Sequence, residues 1–284
     1  MSRPYMIFDV TLAARESISP SFVRITLVGD DLGHCSPTLL DQRVKLLFGS
    51  DSSLDLVLGS GDDWYAGLVA AGELAPRLRT YTLVSVTGHD DGSGEVQIDV
   101  ARHPLSDEDH APGLRFATSA PLGSRTLLVA GDRRVEGHDR VGVAWRTTVT
   151  DEVLLVGDET ALPAVLNIVS TLPAHTKGRV VLEVPHAGDV RAVVTPPRVT
   201  VDWRVRERGE RAVGVFAATG VVPEEAVESD ELLWDEISTT DGRQVWIAGE
   251  AGWVRGLRAE AKAAGVSKDE VSFMGYWKRG LPGS

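Results

Sequence analysis

The sequence predicts a two-domain α+β protein, with an N-terminal antiparallel β-barrel followed by a C-terminal α/β domain on a parallel, Rossmann-like sheet. Three observations predict it. Up to about residue 102, short apolar–polar alternating runs are separated by Gly, Pro and Asp turns, as in strands with one covered face. From residue 151 the pattern changes to apolar strand runs alternating with helical periodicity, as in a parallel sheet. A length of 284 residues suffices for two modest domains. The expected boundaries are 1–130 for the barrel, 131–150 for the crossing between domains and 151–284 for the α/β domain.

Composition narrows the function classes. With 43% hydrophobic and 25% charged residues the chain is ordinary for a globular protein. No apolar run approaches the ~20 residues needed to span a bilayer. The opening MSRPYMIFDVTL lacks the long apolar region of a signal peptide. Membrane insertion is therefore not expected. The single cysteine, Cys35, excludes an internal disulfide and fits a reducing cytoplasm; it reads as a small, semi-buried residue. A formal net charge of -12 argues against nucleic acid as a partner. It also requires any site for an anion to be locally basic against the global field.

In the barrel half, residues 5–30 hold two strand-like runs, the second Phe22–Val28 between Ser19-Pro20 and Gly29-Asp30. Arg43–Gly49, Arg79–Val86 and Glu95–Arg102 follow, with a hairpin turn at His89–Gly94. Residues 52–75 read as a long loop or short helix, and Gly131–Arg134 with Gly137–Arg140 as the crossing.

In the second half, residues 151–172 are the organising stretch. Val153–Val156 does not alternate, as expected for a strand covered on both faces. Gly157 opens a tight turn, and a helix is expected from about Thr160 to Leu172. Asp158 or Thr160 caps it, Pro163 sits in its first turn, and Leu162, Leu166, Val169 and Leu172 form its apolar face. Such a turn leaves backbone N–H groups free for a phosphate or another anion, though many strand–helix units bind nothing. Further strands are expected at Val180–Val184, Val199–Val205, Gln244–Gly249 and Val271–Trp277. A helix at Ala251–Ala264 carries Val254, Leu257, Ala261 and Ala264 on one side, and Trp203 and Trp253 read as core residues.

Two motifs carry a resemblance. GDETALPA at 157–164 is similar to the nicotinamide-binding turn of the ferredoxin–NADP reductase superfamily, and its wording resembles the siderophore-interacting proteins, or ferric-siderophore reductases. Arg79-Thr80-Tyr81-Thr82 resembles the superfamily's R-x-Y-[ST] flavin motif; taken alone it fits any half-buried strand. Ser19–Gly29, Arg43–Leu46, Asp99–His103, Val245–Ala251 and Gly275–Gly280 resemble further segments of the same family, so the likeness runs over nearly the whole chain.

The resemblance implies a cytoplasmic, monomeric FAD enzyme that passes electrons from NADPH or NADH to a ferric siderophore and releases Fe(II). It implies that Arg79 meets FAD phosphate, that Tyr81 packs on the flavin ring and that Thr82 bonds near its reactive N5; no other catalytic residue is assigned. His103, Pro112, Gly113 and Phe116 complete the implied FAD set. Gly157, Asp158, Thr160 and Pro163 form the nicotinamide set, with Glu250 either touching the ribose or capping the helix at Ala251. Arg204, Arg206 and Arg208 alternate after Trp203, which suits the 2′-phosphate of NADPH, or else a solvated edge paired with Glu207 and Glu210. Lys45, with Lys278 and Arg279, is the implied contact for an anionic ferric chelate. No histidine spacing suits a metal, so no protein-bound metal is expected.

The chain departs from the family's pattern at one place above all. The phosphate-binding segment, roughly G-P-A-x-x-W-A in the family, reads Ala111–Ala117 as APGLRFA, after an acidic insertion at Pro104–His110. Leu83 stands where family members often carry Arg. Two alternatives stay open: a flavin reductase with another acceptor and, on the ground of this altered segment, a chelate-binding protein that has lost its flavin.

Overall fold

The structure is a computed structural model, and it describes residues 3–102, 111–145, 149–216, 234–236 and 241–279. The chain divides into two compact units, residues 1–143 and 144–283.

The first unit is a closed antiparallel barrel. Its strands are β1 (Tyr5–Ser19), β2 (Phe22–Gly29), β3 (Arg43–Phe48), β4 (Arg77–Gly88), β5 (Gly94–Ala101) and β6 (Arg125–Gly131), in the order β1-β2-β5-β4-β3-β6. Closure removes the exposed edges an open sheet would leave. The alternation seen in sequence is the cause: Val23, Ile25 and Leu27 of β2, Val44 and Leu46 of β3, and Val96, Ile98 and Val100 of β5 all enter the inner core. Sequence reasoning missed β6 because its run does not alternate. Leu128 and Ala130 face the inner core, while Leu127 and Val129 join a second apolar cluster on the outside.

That outer cluster is covered by two short helices, α1 (Asp51–Leu58) and α2 (Trp64–Ala70), where a loop or single helix was expected. Leu54 and Val57 of α1 pack with Leu47, Leu127 and Val129. A third helix, α3 (Pro112–Ser119), buries Leu114, Phe116 and Ala117 in the inner core. Arg15 donates to the carbonyls of Thr118 and Ala120 at its C-terminal end, where a cation is favoured by the helix dipole. Cys35 is fully buried rather than semi-buried, and burial, helped by Asp132, pushes its thiol up to about 12, so it stays an unreactive core residue.

The second unit holds β7 (Val149–Gly157), α4 (Leu162–Thr171), β8 (Lys177–Val184), β9 (Arg198–Val205), β10 (Trp234–Asp235), β11 (Asp241–Glu250), α5 (Ala251–Ala263) and β12 (Val271–Trp277). The sheet order is β10-β12-β11-β7-β8-β9. From β12 to β9 every pairing is parallel, but β10 pairs antiparallel with β12, so the sheet is mixed at one edge. The parallel part is doubly wound, and its strand order reverses between β7 and β11.

Several local expectations are corrected. Helix α4 begins at Leu162, after the turn has closed, and buries Ala164, Val165 and Ile168 besides Leu162 and Val169; Leu166 and Leu172 are half-buried. On α5 the buried line is Ala251, Val254, Leu257 and Ala261, while Ala264 is exposed beyond the helix end. A single 3-10 turn at Ala187–Asp189, and no α-helix, lies between β8 and β9. Trp203 and Trp253 are half-buried, whereas Trp145 and Trp246 are buried.

Candidate functional site

Each unit carries its own site. In the barrel, β3 and β4 pair Arg43 with Thr82, Val44 with Tyr81, Lys45 with Thr80 and Leu46 with Arg79. Opposed residues share a face. Val44 and Leu46 are core, so Arg79 and Tyr81 face inward, while Thr80 and Thr82 face outward with Arg43 and Lys45. Strand alternation puts Thr82 on the face opposite Arg79 and Tyr81.

On the inner side Tyr81 meets the first turn of α3. A Cβ at Gly113 would come within 1.7 Å of the Tyr81 hydroxyl oxygen and 3.3 Å of the Phe48 ring. Only glycine lets this helix start approach the phenol. Burial raises the Tyr81 phenol well above its usual range, against a smaller opposing pull from Arg79, so it stays a neutral donor. The Arg79 guanidinium donates to the Leu78 carbonyl at 2.7 Å. Burial lowers its pKa, and Arg77 adds to this. Pro112 occupies the start of α3, and no side chain caps that helix end. An uncapped helix N-terminus, an arginine and a phenol are each groups that suit a diphosphate. The residue types here, an arginine, a neutral phenol and an uncapped helix start, are ones that suit an FAD diphosphate. Phe116 is buried, its ring centroid 5.2 Å from that of Phe48, and it packs the core. His103 and the acidic insertion 104–110 lie outside the described residues.

On the outer face, the Lys45 ammonium donates to Thr80 Oγ1 at 2.6 Å. Lys45 is half-buried, opposite Val129 on its other side, and burial followed by the nearby Arg43 lowers its pKa. It is not a solvated strand lysine.

In the α/β unit the focus is the switch point between β7 and β11. Gly157 allows close packing: a Cβ there would lie 3.0 Å from Ala161 Cβ and 3.2 Å from Val165 Cγ2. Asp158 follows and is 3% exposed. Its Oδ1 accepts from Thr160 N at 2.8 Å, Thr160 Oγ1 at 2.5 Å and Ala161 N at 3.3 Å. Its Oδ2 accepts from Glu250 N at 2.8 Å and Trp277 Nε1 at 2.9 Å. The amides of Thr160 and Ala161, expected to be free for a phosphate, are thus engaged by the turn's own carboxylate. Burial, then the adjacent Glu159, pushes the Asp158 carboxyl up to about 6 in spite of these donors. A Cβ at Gly249 would lie 2.6 Å from Asp158 Cγ, which keeps that position glycine.

Pro163 lies in the first turn of α4 as expected. Glu250 caps α5, its Oε2 accepting from Trp253 N at 2.8 Å, and its Oε1 accepts from Arg279 N at 3.2 Å. Lys278 is half-buried and Arg279 exposed, both just past β12. Among the described residues no group of three or more His, Cys, Asp and Glu side chains is arranged to hold a metal ion.

The arginine cluster is corrected. Strand β9 ends at Val205, and Arg206–Arg208 form a 3-10 turn, so the three arginines do not continue one strand face. Arg204 binds Asp202 at 2.7 Å, a carboxylate shared with Arg179. Arg206 grips Glu159 through both terminal nitrogens, at 2.7 and 2.6 Å, and lies 3.4 Å from Glu183. Glu183 also accepts from Arg211 at 2.9 Å and from Ala212 N at 2.8 Å. Burial alone would lower the Arg206 pKa, but Glu159 and Glu183 outweigh it. Exposed Arg208 neighbours Glu207, which accepts from Ala187 N and His186. The signal missed in sequence was Glu183 inside an apolar strand run, since a buried carboxylate needs a partner.

A closed antiparallel barrel followed by a doubly wound sheet is the architecture of the ferredoxin–NADP-reductase-like flavin reductases. Within that class the chain belongs to the siderophore-interacting protein family. Residues 11–134 match the siderophore-interacting FAD-binding domain, and residues 150–280 match the siderophore-interacting protein model. An uncharacterized protein of Mycobacterium tuberculosis (strain H37Rv) is 29% identical over 98% of this chain and 92% of its own length. Ferric vibriobactin reductase ViuB of Vibrio cholerae is 26% identical over 94% of this chain and 87% of its own. Among solved structures, the siderophore-interacting protein SipS from Aeromonas hydrophila superposes with a TM-score of 0.68 at 22% identity, covering 98% of this chain and 94% of that one. No helix among the described residues is long and apolar enough to cross a membrane.

Proposed function

We propose that this chain is a cytoplasmic, FAD-dependent reductase that takes electrons from a nicotinamide dinucleotide and reduces a ferric siderophore, acting as a monomer. The observation that carries the reading is the match of residues 11–134, which hold Arg79, Tyr81 and Gly113, to the siderophore-interacting FAD-binding domain. The likeness to a Vibrio cholerae protein named as a ferric vibriobactin reductase supports the substrate class. Bound FAD would supply the exchange between two-electron and one-electron chemistry that a nicotinamide donor and a ferric acceptor need. The chain binds and orients. Arg79 and the start of α3 hold the diphosphate, and the neutral Tyr81 phenol donates toward it. Lys45 supplies a partly desolvated cation for an anionic ferric chelate, with Lys278 and Arg279 as helpers. Fe(II), softer than Fe(III), is held less tightly by hard oxygen donors, so reduction releases it.

Incubation with excess FAD, gel filtration and identification of the retained flavin tests the reading. Retained FAD is expected. A protein that stays colourless leaves the alternative, a chelate-binding protein without flavin.

A further inference from the structure

We infer that Glu159, by holding Arg206, makes this chain select NADH over NADPH. The inference rests on the reading of the α/β unit as a nicotinamide dinucleotide site and deepens it. In doubly wound sheets the ligand lies outside the carboxyl ends of the strands, and the adenosine ribose is read near the end of the second strand. Here that strand is β8, ending Glu183-Val184, and Arg206 follows the third strand, β9. The Arg206 guanidinium reaches from the end of β9 past Glu183 to Glu159 in the β7–α4 turn. It therefore lies where a 2′-phosphate and a 2′-hydroxyl would be told apart.

Its position is already filled. Both carboxylates are buried, Glu159 at 4% and Glu183 at 6% exposure, and Glu159 takes both terminal nitrogens of the fork. A 2′-phosphate could reach Arg206 only by displacing Glu159, which would leave a buried carboxylate without its cation. The phosphate would also lie beside two like charges. Of the neighbouring arginines, Arg204 is tied to Asp202 and Arg211 to Glu183, while exposed Arg208 lies beside Glu207. A ribose hydroxyl brings no charge, so NADH meets none of this opposition.

The test is calorimetric titration of the full chain with NAD+ and with NADP+, for wild type, Glu159→Gln and Arg206→Ala. Wild type should bind NAD+ about tenfold or more tightly than NADP+, the size of one unmade charge-assisted bond. Glu159→Gln frees Arg206 and should tighten NADP+ selectively, closing most of that gap. Arg206→Ala should not weaken NADP+ relative to NAD+. If Glu159→Gln does not fold, the wild-type ratio and Arg206→Ala still decide. Wild-type preference for NADP+, or a selective loss of NADP+ in Arg206→Ala, overturns the inference and makes Arg206 a phosphate ligand. An unchanged ratio in folded Glu159→Gln overturns it too. Failure of both nucleotides to bind any variant removes the nicotinamide site itself, and the inference with it.

Discussion

Asp158 Oδ2 accepts a hydrogen bond from Trp277 Nε1 at 2.9 Å, joining the carboxyl ends of β7 and β12 across the strand that lies between them. The same oxygen accepts from the Glu250 amide at the end of that intervening strand, β11. One buried carboxylate thus ties three parallel strand ends together at the switch point of the sheet. It also spends the turn amides that a phosphate would otherwise take.

Asp158→Asn should therefore be strongly destabilising. An amide has one acceptor oxygen, so one set of donors would face its NH2 group. Each buried donor left unsatisfied costs about 1–3 kcal/mol. Denaturant unfolding followed by tryptophan fluorescence should show a markedly lower midpoint. A variant as stable as wild type would show that water replaces the carboxylate.

The raised pKa of Asp158 carries a pH dependence with a definite sign. The folded carboxyl keeps its proton up to about pH 6, whereas the unfolded one releases it near 3.8. Between these values the folded state binds more protons, so this group's contribution to stability falls as pH rises through the window. Carbon-13 shifts of the Asp158 carboxyl should titrate near 6. A midpoint below 4 would mean that its donors outweigh burial.

Gly113→Ala should displace Tyr81, because the new Cβ would fall 1.7 Å from its hydroxyl oxygen. Overpacking of this kind costs about 1–3 kcal/mol. FAD affinity should fall with it. Adding Tyr81→Phe should recover part of the lost stability but not the FAD affinity, and the ring carbon at 2.8 Å keeps recovery incomplete. Equal defects in the single and double variants would mean that Gly113 is needed for reasons other than Tyr81.

Lys45→Ala should slow reoxidation of the reduced enzyme by an anionic ferric chelate and leave nicotinamide-driven reduction nearly unchanged. With a net charge of -12, the protein needs a local cation there to reverse its own field. The defect should shrink as salt rises, since screening at ~0.15 M acts over about 8 Å. Stopped-flow measurement of the two half-reactions separates them. Wild-type reoxidation at low salt in the variant would place the acceptor site elsewhere.

The barrel was legible where strands alternate, as in β2 and β5, because one covered face writes a period of two into the sequence. Strand β6 was not, since Leu127 and Val129 are buried on the outside as Leu128 and Ala130 are within. The strand–turn–helix at Gly157 and the Pro163 position were readable from local propensity. The partners of Asp158 were not. Glu250 and Trp277 reach it only after the strands take their places in the sheet. Arg206 misled for the same reason. Its spacing suggested a strand face, but a 3-10 turn and a carboxylate 47 residues away decide what it touches. Thr82 lies on the face opposite Tyr81, because consecutive strand residues point to opposite faces.

The measurement that tests the central proposal most directly is anaerobic Fe(II) trapping. The FAD-reconstituted chain is mixed with NADH, a ferric siderophore and a chromogenic ferrous chelator. Fe(II) should form in electron balance with the NADH consumed, and only when protein, FAD and nicotinamide are all present. A protein that binds FAD and is reduced by NADH, yet leaves the siderophore iron ferric, would contradict the account.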